Sequence, residues 1–188
     1  MNGLIINSDN LQIDDIDEFN DKARVILTDD NNNVLIANYG NVIMFPGGTI
    51  DLSKENMING LIRELYEETG ILYYEEDFSY IMCLEHYQKK YPKRDGTFSN
   101  RLIRNYYYSA KYRGVLEQSQ SLTNKEIKDN FRLSLVPIDK LVKLVKNNIN
   151  SNPRNIYFQE ELLSVLSIYE ISRVKSTETS LPKKYIKI

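Results

Sequence analysis

Apolar residues alternate with polar ones along most of the first two thirds of the chain. One helical stretch interrupts them, and a 3.6-residue spacing takes over near the end. Residues 1 to 21 carry only weak order, with an early strand expected at Leu11 to Ile13. Ala23 to Thr28 and Val34 to Tyr39 read as paired strands, and Asp29-Asp30-Asn31-Asn32-Asn33 between them reads as a hairpin loop. Val42 to Phe45 is a short strand running into Gly47-Gly48. From about residue 54 to 69 the period is helical, and Met57, Ile58, Leu61, Ile62 and Leu65 share one stripe. Phe78 to Lys90 and Asn100 to Tyr112 form a second long hairpin, punctuated by Pro92, Asp95 and Gly96. Phe131 to Val136 is a further strand, and Ile138 to Val145 is helical. After a polar linker, Asn147 to Asn152, Pro153 opens a longer helix with Phe158, Leu162, Val165, Leu166 and Tyr169 on one face. Residues 175 to 188 read as a tail. Strands, one helix, more strands and then helices make an α+β layered architecture.

Composition narrows the class. A chain of 188 residues, 41% apolar and 27% charged, holds one ordinary globular domain with some extension. A net charge of −2 gives no reason to expect a nucleic-acid binder. No run of about 20 apolar residues is present, so no membrane span is expected. Residues 14 to 21 are acidic where a leader would be basic and then apolar. The single Cys83 excludes an internal disulfide and suits a reducing interior; it reads as a small core residue. A cytoplasmic location is expected.

The chemistry gathers in residues 45 to 71. Glu64, Glu67 and Glu68 stand at i, i+3 and i+4, which puts three carboxylates on one helical face. Like charges so close require a cation or a returned proton. Oxygen-only ligands suit Mg²⁺ or Mn²⁺, and magnesium so held keeps positions for water and substrate phosphate. Gly47 and Gly48 allow close approach of backbone to a metal or phosphate. Ser53 is placed to cap the helix, and Gly70 to end it in the left-handed conformation. Gly60, costly inside a helix, implies a tightly packed neighbour. Arg63, four residues before Glu67, can orient the carboxylates and soften their repulsion.

These residues resemble the Nudix box, G-x5-E-x7-R-E-U-x-E-E-x-G-U, where U is a bulky aliphatic residue. Glu55, Arg63, Glu64, Leu65, Glu67, Glu68, Gly70 and Ile71 all stand where the pattern requires them. The first half is one residue long, with six residues between Gly48 and Glu55; the extra one falls in Leu52-Ser53-Lys54. Lengthening a surface loop costs little, so a local bulge ahead of an intact site is expected. The resemblance implies an α/β/α sandwich around a mixed sheet. On it, residues 22–137 form the hydrolase core, 1–21 an N-terminal extension and 175–188 a tail. Residues 138–174 would be added helices, packed on the core or on a second subunit as a homodimer.

The resemblance also implies a further acid from a loop beyond the second hairpin, acting on metal or as a base. Glu126 is the first candidate and Glu117 the second. Most basic residues of that hairpin, Lys89, Lys90, Lys93, Arg94, Arg101 and Arg104, read as edge-strand solubility residues. Arg104 differs, because alternation aligns it with Leu102, Tyr106 and Tyr108; an inward arginine needs either a substrate phosphate or a buried acid. Tyr87 lies about where the family's diadenosine polyphosphate hydrolases carry a tyrosine, which makes it a substrate-binding candidate. The expected function is cleavage of a pyrophosphate bond in a nucleoside diphosphate linked to another group, in a nucleoside triphosphate or a dinucleotide-type substrate. Gly47, Glu64, Glu67 and Glu68 would bind Mg²⁺ (or Mn²⁺), while Arg63, Glu64, Glu67 and Glu126 would serve catalysis. The alternative is a Nudix-fold nucleotide sensor or regulator without catalysis, against which the intact Arg63, Glu64, Glu67 and Glu68 set speaks.

Overall fold

Alternation fixes the strands, and long-range pairing lengthens them. The computed structural model describes residues 3–93, 95–114, 120–148 and 152–180, with backbone alone for 125 and 170–180. In chain order the elements are β1 (Gly3–Ile6), β2 (Glu18–Thr28), β3 (Asn33–Tyr39), β4 (Val42–Met44), α1 (Met57–Thr69), β5 (Ser79–Pro92), β6 (Phe98–Lys111), α2 (Asn124–Lys128), β7 (Arg132–Pro137), α3 (Ile138–Asn147) and α4 (Asn155–Ser180). One mixed sheet runs β1-β5-β6-β2-β3-β4, with β7 also on β3. β1 with β5 and β2 with β6 are parallel, and the other pairs antiparallel.

The two faces of β2 bury different sets, as a period of two requires. Ala23, Val25 and Leu27 pack with Leu61 and Leu65 of α1. Ile26 faces the other way, into a cluster with Phe45, Leu84 and Tyr107 beneath Leu162, Val165 and Leu166 of α4. Helices thus cover both faces of the sheet, the α/β/α layering of an α+β fold. The apolar face expected on the last helix is present: Phe158 and Tyr169 flank its three buried residues.

Several boundaries move. Leu11–Ile13 is not a strand; Asn7 ties back to Leu11 and a 3₁₀ turn follows at Ile13–Asp15, where the Asp15 carboxylate accepts from Gln12 N–H. The early strand is β1 instead, paired with β5 from Gly3↔Cys83 to Ile6↔His86. β2 begins at Glu18, inside the expected extension, because its polar start pairs with β6 from Glu18↔Arg101 onward. α1 starts at Met57 and is capped by Asn56, whose side chain accepts from Asn59 N–H at 2.8 Å. Ser53 does not cap it; its hydroxyl bonds Asp51 in the preceding turn. That turn, closed by Lys54 and Glu55 N–H onto Asp51 carbonyl, absorbs the extra residue. The α4 backbone continues to Ser180 through part of the expected tail, and 181–188 lie outside the described residues. Cys83 is half-buried rather than in the core, and burial pushes its thiol up, away from nucleophile behaviour. Among the described residues, no helix is long and apolar enough to cross a membrane.

Candidate active site

The site exists because β3 leaves β2 early. The two strands share only the Thr28↔Val34 pair before β3 turns to β4 and β7. The vacated edge of β2 is taken by the glycine loop: Ala23 N–H donates to Gly48 carbonyl at 3.1 Å, Val25 N–H to Pro46 carbonyl at 3.0 Å, and Ile50 N–H to Asp21 carbonyl at 2.9 Å. Gly47 lies at φ +120, and a Cβ there would stand 2.2 Å from Ala23 carbonyl oxygen. A Cβ on Gly48 would stand 2.0 Å from Glu64 Oε2, so the absence of side chains is what lets α1 set its acids on this loop. Gly60 meets Ile50 in the same way, at 2.7 Å, which supplies the close neighbour its place in the helix implies.

The three helix acids have different surroundings. Glu68 follows Leu65 by three residues and falls on the buried stripe, not opposite it; it is 5% exposed. Gly47 N–H donates to its Oε2 at 2.9 Å. Burial pushes its carboxyl up to about 8, against the pull of the nearby Arg24 and of that hydrogen bond. Burial also raises Glu64, partly offset by Arg63. Arg63 links the box: its Nη2 lies 2.7 Å from Glu55, its Nη1 2.9 Å from Glu64 and 3.4 Å from Glu67. The hydrogen bond from Arg63 lowers Glu55. Beneath the loop, buried Arg24 donates through Nη1 to the carbonyls of Phe45 at 2.8 Å and Gly47 at 2.6 Å. Sequence reading passed over Arg24 because it sits inside an apolar run; an arginine flanked by Ala23 and Val25 was the available signal.

A cavity of about 1090 Å³ opens over this loop and runs along β2 past Lys22, Asn20 and Glu18. It takes in Glu64, Glu67, Glu68, Arg63 and Glu126. Glu126 caps the start of α2, where Oε2 accepts from Thr123 N–H at 2.7 Å and Thr123 hydroxyl at 2.8 Å. Among the described residues, no three metal-ligating side chains converge on one point; Glu67 is turned to Arg63 and Glu126 to Thr123.

Two expected substrate contacts lie elsewhere. Arg104 is on the α1 side of the sheet and holds Asp21, with Nη2–Oδ2 and Nε–Oδ1 both at 2.9 Å and only the first aligned as a hydrogen bond. The partner of this arginine in the structure is thus a half-buried acid. Tyr87 pairs with Leu102 in β5–β6 on that same face, and neither Tyr87 nor Arg104 lines the cavity. Glu117 lies outside the described residues. Arg101, read as a solubility residue, instead alternates with Ile103, Asn105 and Tyr107 on the cavity side of an interior strand.

A family model described as NUDIX domain matches residues 18–158, about three quarters of the chain. No curated protein matches it by sequence. Among solved structures, an Ap4A hydrolase from C. elegans in a binary complex superposes with a TM-score of 0.51 at 13% identity, over 83% of this chain and 98% of that one. The E. coli ORF135 protein gives 0.48 at 14%, over 89% and 96%. A MutT protein from Bacillus halodurans gives 0.45 at 17%, over 66% and 72%. At 13% identity the likeness to the first of these concerns the fold alone.

Proposed function

Because the chain belongs to the NUDIX domain family, hydrolases of pyrophosphate bonds in nucleotide-linked compounds, we propose that it is a metal-dependent member cleaving a nucleoside diphosphate bonded to a further group. The observation that carries this reading is the buried Glu68 beside Glu64, with Glu67 one turn away, all opening on one cavity. The donor set is oxygen only, and Glu68 has no cation within ion-pair distance among the described residues; such a set fits a hard divalent cation. Glu64, Glu67 and Glu68, with the Gly47 carbonyl, would hold Mg²⁺ or Mn²⁺. Bound there, the cation would neutralise phosphate charge and acidify a water.

The chain's own residues do the positioning. Gly48 keeps Glu64 against the loop, and Gly47 N–H fixes one oxygen of Glu68. Arg63 holds Glu64 and Glu67 in one arc from its anchor on Glu55, and releasing Glu67 frees a ligand without moving the helix. Arg24, donating to the Gly47 carbonyl, pins the loop from below. Both Thr123 hydrogen bonds fall on Glu126 Oε2, which leaves Oε1 to accept a proton from water in the cavity. Catalysis is thus positioning and charge neutralisation, as in phosphoryl transfer generally.

The test is a screen of nucleoside triphosphates, dinucleotides and nucleoside diphosphate conjugates with Mg²⁺ and Mn²⁺, reading phosphate or pyrophosphate release. Release on at least one substrate, abolished by EDTA, is expected. Tight nucleotide binding with no release would move the protein to the sensor reading.

A further inference from the structure

The cavity has a second end, and its chemistry is opposite to that of the acidic helix. Arg101 Cζ lies 3.2 Å from the centre of the Tyr91 ring, and Arg154 Cζ lies 5.5 Å from the same ring. Arg101 Nε donates to Gln88 Oε1 at 2.7 Å, and Arg154 Nε to Pro92 carbonyl at 3.1 Å. In each case Nε is used in anchoring. Among the described residues neither guanidinium has a carboxylate within 4.0 Å. The acid nearest in effect, Glu18, is held by Lys93 at 2.8 Å. Arg101, Arg154, Lys93 and Glu18 all line the cavity, so this end carries an excess of positive charge.

Such an arrangement costs free energy unless something answers it. Burial lowers Arg101 from its ordinary range, Tyr91 and Glu18 pull it back, and the neighbouring Arg154 adds a smaller repulsion. Stacking on Tyr91 recovers part of the cost by cation–π attraction and orients the guanidinium planes. Tyr91 is itself fixed, 6% exposed and packed on Tyr157 of α4 at 5.4 Å between centroids. Rigid, anchored forks with no carboxylate partner fit an oxyanion that accepts two parallel N–H bonds.

We propose that Arg101 and Arg154 form a binding site for a phosphate group, and that this phosphate belongs to the far group of the substrate. The second half rests on the hydrolase reading; the first does not. Glu18, cross-strand from Arg101, precedes Arg24 at the glycine loop by six residues of one strand, about 20 Å. A compound lying along β2 with its pyrophosphate at α1 would bring a phosphate on its other end to the arginines. The substrate class is therefore a nucleoside diphosphate whose attached group carries its own phosphate. Arg154 precedes α4, so the C-terminal helical segment supplies part of the specificity.

The test begins with metal-free protein in EDTA, where no cation can attract anions to the acidic helix. Inorganic phosphate is titrated at constant ionic strength against chloride, reading melting temperature and ³¹P line width. The parent should show a saturable response to phosphate. Arg154→Gln and Arg101→Gln should weaken it by about tenfold or more, as loss of a charged fork does. Arg104→Gln, on the opposite face, should leave it intact. If Arg101→Gln does not fold, Arg101→Lys keeps the charge, loses the fork and should still weaken binding. No response beyond chloride, or a response that survives in both Arg101 and Arg154 variants, would reduce the pair to a clamp on Tyr91 and overturn the site. With Mg²⁺, Arg154→Gln should lower kcat/KM for phosphate-ended conjugates about tenfold relative to conjugates without that phosphate. Equal losses on both would overturn the assignment of the far group. Phosphate binding in a protein that hydrolyses no nucleotide would sink the hydrolase reading and leave the anion site standing.

Discussion

Glu68→Gln in the absence of metal should make the protein more stable at pH 8 and nearly remove one component of its pH dependence. Burial raises the Glu68 carboxyl from an ordinary 4.5 to about 8 in the folded state. Between those values the native state keeps a proton that the unfolded chain has released, so stability falls as pH rises through the window. The loss begins near pH 4.5 and is complete above pH 8. At about 1.4 kcal/mol per decade it reaches a ceiling of about 5 kcal/mol. Water reaching the ionised carboxylate works against that ceiling, since buried sites respond as if in a medium more polar than a dry interior; half of it, about 2–3 kcal/mol, corresponds to about 5–10 °C in a chain of this length. Gln keeps an acceptor for Gly47 N–H and carries no charge, at the cost of placing one amide. Melting curves from pH 5.5 to 8.5 in EDTA read the effect directly. The parent should lose melting temperature steadily, with the variant clearly flatter and crossing above it by pH 8. Glu64, also raised by burial, contributes the same sign to both proteins, so the difference between the curves isolates Glu68. Parallel curves, or a parent that gains stability over this range, would refute the reasoning.

Glu67→Gln should reduce turnover on the best substrate by about 100-fold or more while leaving the fold intact, because the side chain is partly exposed and held only by a long contact to Arg63. The same substitution should blunt the stabilisation by Mg²⁺, which in the parent amounts to about 2.7 kcal/mol at 100 times Kd and is read as a rise in melting temperature; equal rises in both proteins would place the metal elsewhere. Glu126→Gln should lower kcat with little change in the Mg²⁺ concentration for half activity, and unchanged kcat would return proton abstraction to a helix acid. Tyr107→Phe removes a hydrogen bond to the buried Glu161 of α4, so thermal melts should show a loss of about 1.5–3 kcal/mol; a change below about 0.5 kcal/mol would show that Glu161 is satisfied by its other neighbours.

What is local was legible in the residues themselves. Three acids at i, i+3 and i+4, a left-handed Gly70 at the helix end and alternation along the strands are properties of one helical turn or one pleat, and they stand in the structure as read. The six-residue spacing before Glu55 was likewise absorbed by one turn around Asp51. The rest depends on long-range packing. Spacing puts Glu64, Glu67 and Glu68 on one face, but only the packing of α1 against the glycine loop buries Glu68 and leaves Glu67 to Arg63. Alternation divides Arg101 from Arg104 without saying which face of the sheet will carry the cavity; the fold places the cavity on the face of Arg101, and the β2–β6 register sets Arg104 opposite Asp21. Arg154 reaches the cavity across 62 residues of chain, onto Pro92, and β1 finds β5 across about eighty. Contacts of that separation are set by the closing of the whole sheet and its helices, and no window of sequence short enough to show a period contains both partners.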